Sequence, residues 1–125
     1  MSQRIVVVSQ DGERLNSLID GLLDAGYVAS GASTFADGRL LVQSESPDLV
    51  IADERLGPFN GLHLIVMGRS QHPNMKAIIT SRARDAALEN DARRMDVGCL
   101  VETTELSGWL SSISSALGRT QDVIH

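Results

Sequence analysis

The chain has 125 residues, 42% of them hydrophobic, a net charge of −5 and a single cysteine. That length and apolar content suffice for one core and one domain, while the acidic balance argues against a bare nucleic-acid-binding module, which carries a basic patch, and a lone Cys99 leaves no internal disulfide and no cysteine-based metal site. No apolar run is long enough to span a bilayer, and Met1-Ser2-Gln3-Arg4 leads into a strand-like run without a leader-peptide cleavage pattern, so a cytoplasmic protein that does not enter membranes is expected.

In chain order, Ile5-Val6-Val7-Val8 is a β-branched run of the kind buried on both faces of a sheet. Leu15, Leu18, Ile19, Leu22 and Leu23 recur at helical spacing, and Gly26 is a helix stop. A weaker strand follows at Tyr27-Val28-Ala29-Ser30, then a helix marked by Phe35, Leu40 and Leu41 that ends before Pro47. Leu49 to Ala52 forms the third strand, and a helix from near Gly61 carries Leu62, Ile65 and Val66 inward. Lys76-Ala77-Ile78-Ile79-Thr80 is the fourth strand, and a polar helix follows with Leu88, Ala92 and Met95 on one face. Gly98-Cys99-Leu100-Val101 is the fifth strand, and Leu106, Leu110, Ile113 and Leu117 make the stripe of a last helix. Residues 118–125 are read as a tail or the start of a linker after a domain over 1–117.

Strands alternating with helices imply parallel pairing through right-handed crossovers, that is, an α/β, doubly wound three-layer domain. Such a sheet gathers the carboxyl ends of its strands around one crevice. The residues expected there are Ser9, Gln10 and Asp11, then Asp53, then Thr80 and Ser81, then Glu102. Asp53 stands out, because Leu49-Val50-Ile51-Ala52 runs straight into it and a Gly/Pro-rich turn containing Gly57, Pro58 and Gly61 follows. For Asp11, ahead of Gly12 and Glu13, helix capping is the leading reading and metal ligation the lesser one. His63, His72 and His125 are scattered without metal-ligand spacing, and Arg93-Arg94 suits the negative end of its helix.

The Asp53 segment with Gly61 beyond it, and Thr80 closing Ile78-Ile79-Thr80, resembles the response-regulator receiver domain (the CheY-like family) over roughly residues 4–117. The resemblance implies a (βα)5 flavodoxin-like three-layer sandwich with a five-stranded parallel sheet. It implies no enzymatic activity of its own, with Asp53 as phosphoacceptor and Thr80 as the switch hydroxyl. Implied partners are a histidine kinase or phosphotransfer protein, and a protein or second copy on the face made by the fourth helix, fifth strand and fifth helix. Direct contact with nucleic acid is not expected.

The departures are equally specific. Ser9-Gln10 stands where the family has two adjacent acids, Glu102-Thr103 replaces its Lys-Pro pair, and Cys99 replaces its reporting aromatic. Phosphoryl transfer to a carboxylate rests on positioning and charge neutralisation, and Mg²⁺ wants carboxylate oxygens in near-octahedral array. The implied Mg²⁺ site on Asp53 and Asp11 is therefore weak, and phosphorylation of Asp53 reduced or absent. Arg82 is the candidate substitute cation for a phosphoryl group, with Arg55 a second, although in the family the residue matching Arg55 offers its backbone carbonyl to the metal. The alternative is a phosphorylation-independent interaction or dimerisation module on the same fold. A nucleotide- or flavin-binding domain is disfavoured, because Ser9-Gln10-Asp11-Gly12 is a poor phosphate-cradling loop.

Overall fold

A computed structural model describes residues 2–118; the tail read beyond residue 118, with His125, lies outside the described residues. The β-branched run expected at the start forms β1 (Arg4–Val8), and Asp11 then caps α1 (Gly12–Asp24). After Gly26, whose φ of 95° is readily adopted only by glycine, β2 (Val28–Ala32) leads to α2 (Phe35–Glu45), capped by Thr34. The all-buried β3 (Leu49–Asp53) delivers the chain into a short hairpin, β4 (Arg55–Leu56) with β5 (Phe59–Asn60). Asn60 caps α3 (Gly61–Gln71); β6 (Lys76–Ser81), α4 (Ala86–Arg94), β7 (Gly98–Val101) and α5 (Leu106–Leu117) complete the fold.

The main sheet is parallel with order β2-β1-β3-β6-β7. Because side chains alternate along a strand, successive residues of β1 and β3 go to opposite layers. Val6, Val8, Val50 and Ala52 pack beneath Phe35, Val42, Leu64, Ile65, Leu88 and Ala92 of α2, α3 and α4. Ile5, Val7, Leu49 and Ile51 pack against Leu15, Leu18, Leu22, Trp109 and Ile113 of α1 and α5. The expected doubly wound sandwich is thus the observed one.

Three inward faces differ from the sequence reading. In α3 the buried apolar pair is Leu64 and Ile65, whereas Val66 is 53% exposed. In α2 Leu40 is 60% exposed and the buried face runs through Phe35, Gly38 and Val42, with Gly38 lying directly over Val8. In α5 Leu106 is exposed and Trp109 takes the core position beside Ile113. The β4–β5 hairpin, read only as a turn, was not expected from so few residues.

Candidate functional site

The strand order reverses direction between β1 and β3, and in an open α/β sheet such a reversal opens a crevice beyond the carboxyl ends of the strands. Asp53, the last residue of β3, is buried there, in register with the buried Thr80 of β6. The Glu54 N–H donates to the Thr80 carbonyl at 2.7 Å, which locks the two strand ends together just past the carboxylate. The surrounding open cleft, about 840 Å³, takes in Gln10, Asp11, Thr80, Ser81, Arg82 and Glu102. The residues expected to converge from four strand ends therefore do so.

The cation bound to Asp53 was missed by the sequence reading. Arg14, in the first turn of α1, donates through Nη2 to both Asp53 oxygens at 2.9 Å and to Ser9 Oγ at 3.1 Å. Its Nη1 reaches Glu102 at 3.2 Å and Asp11 at 3.4 Å. The guanidinium, on a side chain 23% exposed, thus bridges three carboxylates drawn from β3, the loop after β7 and the α1 cap. Arginine suits this role because its fixed fork of donors can serve several oxygens at once. The signal that could have found it is local: capping by Asp11 puts the first turn of α1 at the strand ends, and Arg14 is the cation in that turn.

The two oxygens of Asp53 are not equivalent. Oδ2 accepts from Ser9 Oγ at 2.9 Å, from the Gln10 N–H at 3.0 Å and from Arg14, whereas Oδ1, among the described residues, accepts from Arg14 alone. Gln10 also turns its side-chain amide onto the Arg55 carbonyl at 2.5 Å. Asp11 adopts the capping role, Oδ1 accepting from the N–H groups of Glu13 and Arg14 at 3.1 and 3.2 Å.

These contacts decide how Mg²⁺ would fare. The ion needs oxygen lone pairs turned toward it. Here Asp53 Oδ2 is surrounded by donors, the Ser9 hydroxyl donates its proton to Asp53, the Arg55 carbonyl is taken by Gln10, and a guanidinium stands against Asp53, Asp11 and Glu102. The donor set does not fit Mg²⁺, and among the described residues no cluster of three His, Cys, Asp or Glu could hold a metal.

Arg82 lines the same cleft and, among the described residues, has no ion-pair partner. Arg84 is committed to Glu89 at 3.1 Å, and that hydrogen bond draws the Glu89 carboxyl below its ordinary range. A second cleft of about 760 Å³ follows the edge strand β7 between α4 and α5, lined by Arg93, Cys99, Leu100 and Ser112 among others. Burial, reinforced by the carboxylates of Glu89, Glu54 and Asp85, pushes the Cys99 thiol up.

No protein-family model matches the chain. Its sequence is 26% identical, over 95% of its length, to the alginate biosynthesis transcriptional regulatory protein AlgB of Pseudomonas putida, and 33% identical over 62% of its length to AlgB of Pseudomonas aeruginosa. The chain spans 30% and 17% of the length of those two proteins. Among solved structures it superposes on a CheY-like response-regulator receiver domain protein from Methanospirillum hungatei with a TM-score of 0.87 at 20% identity, covering 98% of each chain. No helix among the described residues is long and apolar enough to cross a membrane.

Proposed function

On the scaffold of a CheY-like receiver fold, we propose that this chain is the receiver domain of a two-component regulator, with Asp53 as its phosphoacceptor and Thr80 as its switch residue. The observation that carries the reading is the seat of Asp53: a buried carboxylate at the carboxyl end of β3, beside Thr80 and open to a polar cleft. Oδ1, with one donor against three on Oδ2, is the oxygen better able to attack a phosphoryl group. Phosphoryl acceptance is reduced, because an attacking carboxylate must give up its hold on Arg14, and the incoming oxyanions meet Glu102 where a cation would help. Arg82, which lines the cleft and has no ion-pair partner among the described residues, is the cation that would meet them. The domain is a cytoplasmic, non-enzymatic regulatory module. A histidine kinase or phosphotransfer protein would be the donor, and a protein partner or second copy would read the face along α4, β7 and α5.

A second reading, a module that acts through that face without phosphorylation, is favoured by the closure of the Asp53 network from within the chain. Amide NMR with beryllofluoride and Mg²⁺, using Asp53→Asn as control, separates the two. Reduced acceptance predicts weak wild-type shifts around Asp53 that extend to Thr80 and β7 and vanish in the variant. A wild-type spectrum as unresponsive as that of the variant selects the phosphorylation-independent module. A full, saturating response would overturn the claim of reduced acceptance.

A further inference from the structure

The two departures at the site, neutral residues after β1 and an acid after β7, are linked through one side chain. Ser9 and Gln10 bring no negative charge to Asp53; each instead donates a hydrogen bond to it. Glu102 does not face Asp53 alone, because Arg14 lies between them, 2.9 Å from one and 3.2 Å from the other. Gln10 closes the Arg55 carbonyl in the same neighbourhood. Were Glu102 a lysine, two cations would meet at Arg14; were residue 9 an acid, the hydroxyl that donates to Asp53 would be lost, and were residue 10 an acid, the amide that closes the Arg55 carbonyl would be lost.

We infer that the Arg14 guanidinium is a resident cation that replaces a divalent metal in the Asp53 cleft, with Glu102 as its counter-ion, so that the ground state of the domain does not respond to Mg²⁺. The inference rests on the receiver reading of the cleft and deepens it by naming the group that neutralises Asp53. Its physical basis is competition: a guanidinium within hydrogen-bond distance of three carboxylates repels a second cation and occupies the lone pairs that cation needs. Arg14 acts as a positioning residue, through the carboxylates it holds.

The test is a two-dimensional amide NMR titration with MgCl₂ alone, at ionic strength held constant with NaCl, on wild type, Arg14→Ala and Arg14→Gln. The glutamine variant keeps most of the side chain without its charge, and serves if the alanine variant loses its dispersed spectrum. Wild type is expected to show no saturable shifts at residues 9–11 and 53–55. The neutral variants are expected to show them, with an apparent Mg²⁺ affinity raised by about tenfold or more. Saturable wild-type shifts at those residues overturn the inference, and so does a folded Arg14 variant as blind to Mg²⁺ as wild type. No phosphoryl mimic is present, so a failure here is distinct from a failure of Asp53 to respond to beryllofluoride.

Discussion

Asp53 and Arg14 form an ion pair that is mostly withdrawn from water, at side-chain exposures of 12% and 23%. Removing one partner from such a pair leaves a desolvated charge, and the loss exceeds that of a surface pair. Arg14→Ala is expected to lower unfolding free energy by about 1–3 kcal/mol, and a double-mutant cycle with Asp53→Asn should return a coupling within that range by urea denaturation. Arg84→Ala, which breaks a pair on the protein surface, is expected to leave the urea midpoint unchanged. The asymmetry between Asp53 and Arg14 in the sequence has a physical origin. Asp53 is announced by its own neighbours, an apolar strand before it and a turn after it. Arg14 is one polar residue on the outward part of an amphipathic helix, and only the packing of α1 against the sheet brings it to a carboxylate 39 positions away. Capping by Asp11 places that turn near the strand ends, but the choice of Asp53 as partner is made by the packing and not by spacing along the chain.

At the level of elements, the strands were legible because a parallel sheet covered on both sides demands near-continuous apolar runs, and β1, β3 and β6 supply them at residues 5–8, 49–52 and 77–79. The helices were legible in place but not always in facing. In α3, Leu62, Leu64, Ile65, Val66 and Met67 make an apolar belt with no unique stripe, and the inward side is fixed instead by Gly61 and Gly68, which let the helix approach β3, Met75 and Val42. A glycine carries no hydropathic signal, so the same blindness affected Gly38 in α2. Gly61 is the clearest case: its amide donates to the Glu54 carbonyl at 2.8 Å, and a methyl group there would collide with the Asp53 carbonyl and press on Ile79. The obstacle is backbone, which cannot swing aside. Gly61→Ala is therefore expected to destabilise by about 1–3 kcal/mol or more, read as a lowered urea midpoint. It should also displace the amide resonances of residues 53–55, because the strain falls on the segment that carries the phosphoacceptor candidate.

In the whole molecule, two cores share one sheet. Leu64 lies in the layer of α2, α3 and α4, and Leu22 in the layer of α1 and α5; both are essentially inaccessible to water. The strands between them hold alternate residues in each core, so neither layer can melt while the other keeps its floor. This geometry predicts one cooperative transition rather than two. Leu22→Ala and Leu64→Ala should each cost about 2–5 kcal/mol, and with no shared partners the losses should add within about 0.5 kcal/mol. Trp109 packs in the α1–α5 layer and reports from that side alone, whereas far-ultraviolet dichroism reports from all the helices. Urea unfolding of the Leu64→Ala variant should therefore give coincident midpoints by tryptophan fluorescence and by dichroism, although the substitution lies on the opposite face from the tryptophan. A fluorescence transition that kept its wild-type midpoint while dichroism fell early would show that the layers unfold separately. Coincident midpoints would show that the two layers unfold as one unit, as the sheet that floors both of them requires.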